Sequence, residues 1–232
     1  ISTDPNDPNA LALGAEDIVF QGNMTRWKQF ANSLRLRILL RESQTSQVDQ
    51  NYVRTELAAV QTAADGFIDR DVIAQPGYSQ NTNQQNPFYT RYGFSAAGAS
   101  ATERNYQIPT KYIIRQYIGN ADPRINQLYS RGSRLGVSGF VGGDLGEREA
   151  PGFTTGADTI ASRFLSGGTF LRAATAPTTL MLLSEHLFNK AEAETRGLFT
   201  GGNAAAKTDY QDAIKASFMY TYRAATTAPS TL

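Results

Sequence analysis

The chain has no cysteine. That removes disulfides, thiolate metal sites and cysteine nucleophiles together, and leaves the redox compartment open. It has a single histidine, His186, so every scheme needing two is excluded, including the helical zinc pair H-E-x-x-H. No apolar run reaches the roughly 20 residues of a bilayer-spanning helix. No sign of charge dominates: 22 Lys and Arg stand against 21 Asp and Glu. With both signs interspersed, the chain lacks the concentrated basic face of a nucleic-acid binder. It begins at Ile1 rather than Met, with no charged n-region followed by an apolar run, as expected of a processed or trimmed product.

What is present fits a packed globular chain. Of its 232 residues 41% are hydrophobic and 19% charged, enough for one good-sized domain or two small ones. The opening "STDPNDPNALALGAEDIVF" reads as an extended, turn-rich segment, since Pro5 and Pro8 exclude helix. The clearest helix follows. Trp27, Phe30, Ala31, Leu34 and Ile38 recur at the spacing of one buried face, with Asn23 or Thr25 as cap. A second helix is expected over 48–64, with Tyr52, Val53, Leu57 and Val60 on one side.

Periodicity then disappears from Asp65 to Asn105, a length unusual for a structureless loop inside a compact domain, which points to function or internal order. Pro109 to Ile118 reads as a helix. Residues 130–176 form a second loop-rich region with short strands at most. The C-terminal part returns to helix. Pro177 suits a first turn, and Leu180, Leu183, Leu187 and Ala191 form a stripe ending at Arg196-Gly197. A final helix over 204–223 turns Tyr210, Ile214, Ser217 and Phe218 inward. Two long helices joined by a short Gly turn make an antiparallel hairpin resembling a tetratricopeptide unit. The fold class expected is mainly α, with tetratricopeptide-like hairpins and long loop-rich insertions. The division is helical 23–64, loop-rich 65–107, helix 108–118, loop-rich 130–176 and helix hairpin 177–224, in one domain.

Catalytic patterns are weak. His186 sits mid-helix with no G-x-S-x-G elbow in the chain, and reads as a packing or surface histidine. Glu185, Glu192 and Glu194 read as a solvated face paired with Lys190 and Arg196. Asp144, Glu147 and Glu149 cluster in a Gly-rich loop, the residue types of a glycosidase pair or a calcium site, although acids in loops are common. Gly139, Gly142, Gly143 and Gly146 match no phosphate cradle. "NMT" at 23–25 is a glycosylation sequon better explained as a helix cap.

The stretch "NTNQQNPFYTRYGF" (81–94) carries more. Sugars offer flat C–H faces to aromatic rings and hydroxyls to amides and guanidinium groups. Residues 78–94 supply both types on a loop, where binding residues concentrate. The candidate ligand-binding residues are Tyr78, Asn83, Gln85, Phe88, Tyr89, Arg91 and Tyr92. The competing reading is that half the rings anchor the loop to a core.

"GNMTRWKQFANSLRLRILLR" (22–41) resembles the segment G-D-x-x-K-W-x-K-F-A-N-S-L-[KR]-L-R-x-x-x-R of SusD/RagB-type nutrient-binding lipoproteins. Its core is complete here from Trp27 through Arg37, with Asn23 in place of the usual Asp. "ADPRINQLY" (121–129) resembles the family's D-P-R turn. Residues 180–218 resemble its helix hairpin, with Ser184-Glu185 in place of A-E. The three matches fall in order over about 190 residues.

The resemblance implies a SusD-like, mainly helical fold and a surface-exposed outer-membrane lipoprotein. It implies a subunit that holds a glycan or other nutrient for a TonB-dependent transporter, without catalysis or cofactor. The lipid anchor is absent from this chain. Family members are roughly twice as long, so the sequence looks like the middle of one. Their ligand contacts vary, and none transfers by motif to 78–94. A helical protein-interaction domain without a small ligand, or an enzyme using Asp144 with Glu147 or Glu149, are the rival readings.

Overall fold

The computed structural model describes residues 13–147, 159–224, 228–229 and 231–232. The elements in chain order are α1 (Met24–Glu42), α2 (Gln50–Gln61), β1 (Val72–Ala74), α3 (Pro87–Tyr92), a 3-10 helix (Thr102–Tyr106), α4 (Lys111–Gly119) and α5 (Ile125–Leu128). Then follow β2 (Gly132–Arg134), β3 (Val137–Gly139), β4 (Thr159–Ile160), β5 (Thr178–Met181), α6 (Leu183–Thr195) and α7 (Gly202–Tyr222). The chain groups into two compact units. One holds residues 1–76, 178–217 and 228–232; the other holds 77–177 and 218–227.

The first unit is the helical one. Asn23 caps α1 by accepting from Arg26 N–H, and Asp49 caps α2 by accepting from Asn51 N–H. These bonds satisfy donors that a helix start leaves unpaired. Thr25 lies inside α1 rather than at its cap. The buried face of α1 is also rotated from the expected stripe. Ser33, Leu36, Leu39 and Leu40 are buried, whereas Ile38 is 48% exposed.

The reason is a polar anchor. Ser33, fully buried, donates to Gln29 O and accepts from Ile68 N–H, while Asn32 Nδ2 donates to Gly66 O. The Asn-Ser pair thus ties the chain beyond α2 to α1. Leu36, Leu39 and Leu40 pack with Val53, Leu57, Val60, Ala193 and Phe199. Tyr52, expected on that face, is exposed instead.

Pro177 does not open a helix. The β-branched Thr178 and Thr179 begin β5, which pairs antiparallel with β1 and leaves Leu180 exposed. The helix α6 starts only at Leu183, whose N–H donates to Asp71 Oδ1. The α6–α7 hairpin forms as expected, closed by Lys190–Asp209 at 2.9 Å and by Phe188 edge-on to Tyr210 at 5.4 Å.

Its inward α7 residues are small. Ala206, Ala213 and Ala216 are buried, and Tyr210 and Ile214 are exposed. Ala213 and Ala216 join Phe20, Val72, Met181, Leu183 and Leu187 in a second cluster, where a methyl side chain lets the helix approach. Large residues would hold it off. The chain is mainly α with short strands, as its sequence predicts.

The second unit is built from short pieces. β2 pairs antiparallel with both β3 and β4, the short strands expected of this region. The helix α4 is capped by Thr110, which accepts from Ile113 N–H. The aperiodic stretch holds α3 and most of the 3-10 helix, and so is internally ordered, one of the two readings its length offers.

Candidate functional site

The aromatic-amide loop folds around its own side chains. Ser79 N–H donates to Gln84 O at 2.8 Å, Asn81 Nδ2 donates to Gln84 Oε1 at 3.0 Å, and Asn83 sits at φ 64°. That left-handed backbone is one Asn adopts more readily than most residues. Asn86 then starts α3. Its Oδ1 accepts from Phe88 N–H and Tyr89 N–H, its Nδ2 donates to Ala176 O, and its own N–H donates to Ala174 O. Pro87 supplies the first helical φ. Gly93 ends the helix where a Cβ would lie 2.6 Å from Tyr89 O, so only glycine fits.

One and a half turns of helix sort the rings. Phe88 and Tyr92, four apart, share a face with centroids at 4.9 Å. Phe88 also meets Phe164 at 5.8 Å and Phe170 at 6.5 Å, Phe164 meets Phe170 at 5.0 Å, and Tyr129 stacks on Phe164 at 6.1 Å. Phe88 and Phe170 keep 40% and 41% of their surface exposed, so the cluster presents ring area to solvent. Tyr89 lies on the other side against Phe94 at 6.0 Å. Arg104 lies over Phe94 at 4.9 Å, and its Nη1 donates to Phe164 O at 3.0 Å.

The polar candidates divide. Gln85 is buried, donating to Phe94 O and accepting from Thr90 Oγ1. Its amide bonds the loop to itself. Asn83 is exposed at the turn, and Tyr78 is half-buried. Arg91 pairs with Glu103 at 2.5 Å and lies 5.6 Å from the Tyr92 centroid. The carboxylate holds its guanidinium pKa above the ordinary value. The structure therefore brings Phe88, Tyr92 and Arg91 together and sets Tyr89 on a separate ring pair.

Sequence reasoning missed Tyr129, Phe164, Phe170 and Arg104. Phe164 and Phe170 lie in "RFLSGGTF", where rings stand among Arg, Ser and Gly. That is the compositional signal that singled out 78–94, spread over a shorter stretch. Burial raises the Tyr129 phenol above its usual pKa, which fits its place beneath Phe164.

The acids of the Gly-rich loop are bound to one cation. Lys111 Nζ lies 2.6 Å from Asp144 and 3.9 Å from Glu147, and Glu147 Oε2 accepts from Asp144 N–H. Glu149 lies outside the described residues. His186 is 1% exposed, beside Phe67 at 4.8 Å, and burial with nearby Lys190 pushes its pKa down to about 3. It is a packing histidine. Glu194 is not on a solvated face: it is buried, which raises its pKa. Glu185 and Glu192 are partnered by Arg37 and Arg196.

Comparison with curated proteins finds no sequence match. Solved structures do match in fold. A SusD homologue from Bacteroides vulgatus aligns with a TM-score of 0.65 and 22% identity, covering 92% of this chain and 39% of that one. A chitin-binding SusD homologue from Flavobacterium johnsoniae aligns with a TM-score of 0.64 and 21% identity, covering 90% and 38%. The chain thus spans about two-fifths of these relatives' length. A family described as SusD-like, starch-binding and associating with outer membrane matches residues 3–230. With nearly its whole length inside that match, the chain belongs to the SusD-like family.

Proposed function

We propose that this chain is the ligand-holding part of a surface nutrient-binding lipoprotein. It captures a glycan for a TonB-dependent outer-membrane transporter and does not cleave it. The observation that carries the reading is the half-exposed cluster of Phe88, Tyr92, Phe164 and Phe170. Exposed rings gathered in this way offer the apolar faces on which pyranose C–H surfaces stack, and burying them against a ligand releases ordered water. The family description and the chitin-binding relative support the same ligand class. The absence of catalysis is supported by the loop acids, since Asp144 and Glu147 are both engaged by Lys111.

Affinity electrophoresis through gels containing neutral and acidic polysaccharides tests this. The 232-residue chain is retarded by at least one polysaccharide. The double substitution of Phe88 and Phe170 by Ala removes most of the retardation, with each ring contributing up to about tenfold. Migration unaffected by every polysaccharide in a broad panel would sink the glycan reading.

A second reading is a protein-interaction domain without a small ligand. It is favoured by the groove on the α6–α7 hairpin, about 480 Å³, lined by Phe188, Ala191, Ala206 and Tyr210. Capture of a partner lost on Tyr210→Ala, with no polysaccharide retardation, would favour it.

A further inference from the structure

The near-neutral balance of the whole chain conceals a division. The loop-rich unit carries eleven Lys and Arg against six Asp and Glu, a balance of +5; the helical unit carries eleven against fifteen, a balance of −4. Within the loop-rich unit the described carboxylates are already engaged. Glu103 pairs with Arg91, Asp122 with Arg124, and Asp144 and Glu147 with Lys111.

Arg104 is left without a carboxylate among the described residues. It is half-buried, fixed by the Phe94 ring on one face and by the Phe164 carbonyl at one Nη. A guanidinium has five N–H donors, and this anchoring spends one. Desolvation lowers its pKa from the free value, a sign that the charge lacks the water it would otherwise hold. Arg163, next in sequence to Phe164, donates to Ser162 O. Its pKa is lowered by burial and then by the charge of Arg104. Arg104, bonded to the Phe164 carbonyl, thus adjoins the ring cluster formed by Phe164, Phe88 and Phe170. A planar guanidinium held in place matches the paired oxygens of a carboxylate or sulfate, and it loses little freedom on binding.

We propose that the aromatic cluster takes an anionic glycan, one bearing carboxylate or sulfate groups, with Arg104 receiving the acid while the rings of Phe88 and Phe170 stack on the sugar. This rests on the glycan-holding reading above and adds the ligand's charge to it. A neutral sugar would fill the ring surface and leave the Arg104 guanidinium without an anionic partner among the described residues.

The test uses matched pairs in affinity electrophoresis: polygalacturonate against its carboxyl-reduced form, and carrageenan against its desulfated form. At least one anionic member retards the 232-residue chain about tenfold more strongly than its neutral partner, and the difference shrinks between 50 and 500 mM salt as charges are screened. The pair that responds separates a uronate ligand from a sulfated one. Arg104→Gln abolishes the preference without abolishing weak neutral binding. Arg104→Lys, which keeps the charge and one donor, retains part of it, and thermal melting confirms that both variants fold.

Equal retardation by both members of each pair, or a preference unchanged in folded Arg104→Gln, overturns the proposal while leaving glycan binding intact. Retardation by single-stranded DNA equal to that by the anionic glycans, unaffected by Phe88→Ala and Phe170→Ala, also overturns it and shows polyelectrolyte attraction only. No retardation by any polysaccharide overturns this inference and the glycan reading together.

Discussion

The helical unit and the loop-rich unit solve the same problem by opposite means. In the first, long elements satisfy most of their own backbone groups, so side chains are left to fill two apolar clusters around Leu36, Leu57, Leu183 and Leu187. In the second, elements of two to nine residues leave backbone groups over, and side chains must bond them: Asn86 to Ala176 O, Arg104 to Phe164 O, Thr169 to Thr221 O, Arg172 to Arg223 O. The first unit is held by volume and the second by specific hydrogen bonds and rings. The difference teaches where each unit can change. A filled core tolerates polar substitution badly. A loop scaffold tolerates exchange at its exposed rings while its bonded residues stay fixed.

The largest expected effect tests the volume side. Leu57 is fully buried, so Leu57→Ala costs about 3 kcal/mol through lost burial and the cavity left behind, read by urea denaturation. A cost below 1 kcal/mol would mean that the core relaxes freely and the contrast fails.

The loop-rich unit has its counterpart in Gly132, where an added Cβ would run into the Ile160 carbonyl across the β2–β4 pair. Gly132→Ala costs about 2 kcal/mol and perturbs the near-ultraviolet signal of the nearby aromatic residues.

Next is pH. His186 is neutral in the fold down to about pH 3, whereas the unfolded chain takes up a proton near pH 6.5. Where the unfolded state binds more protons, stability rises with pH. The contribution is complete above pH 6.5 and declines as pH falls toward 3, by up to about 1.4 kcal/mol per pH unit. Stability curves at pH 7.5 and 5 diverge less in His186→Phe, which cannot protonate and keeps the ring against Phe67. Equal divergence in both proteins would mean that His186 is not the group taking up the proton, since carboxylates with lowered pKa such as Asp17, Asp69 and Asp122 act only at more acid pH.

Two helix caps sharpen the comparison at smaller scale. Asn23→Ala loses one bond and costs about 1 kcal/mol; Asn86→Ala loses its cap and its bond to Ala176 and costs about 2 kcal/mol. Reversal of that order in thermal melts would place the loop-rich unit's stability elsewhere. The smallest effect belongs to Arg91→Gln, whose solvent-exposed pair with Glu103 is screened, so thermal melting is nearly unchanged.

The helical unit was readable because its elements are long enough for periodicity to speak. Helices α1, α2 and α7 lie where the pattern puts them, and α6 lies within its expected span but starts at Leu183, yet their faces were misread in part. Counting apolar residues points α1 toward Ile38, whereas the buried hydroxyl of Ser33 and its bond to Ile68 set the rotation. On α7 the large residues drew attention, and the alanines carry the packing. The resemblances at 22–41, 121–129 and 180–218, taken in order, pointed to the family that the match over residues 3–230 shows. Less of the candidate site was legible. Phe88, Tyr92 and Arg91 share one short helix and could be found together. Tyr129, Phe164 and Phe170 come from distant parts of the chain, and only folding makes them neighbours.

Asn86 has a consequence beyond capping. Its backbone N–H reaches Ala174 O and its side chain reaches Ala176 O, so the chain returns to its own starting point after nearly ninety residues. What lies between is a closed loop with a fixed clasp. The entropy of closing such a loop grows only with the logarithm of its length, so inserting or deleting several residues changes it by well under about 1 kcal/mol. The stretch from α3 to Ala174 is in that sense an exchangeable cartridge: its contents can be rewritten while the clasp, and the helices outside it, remain as they are.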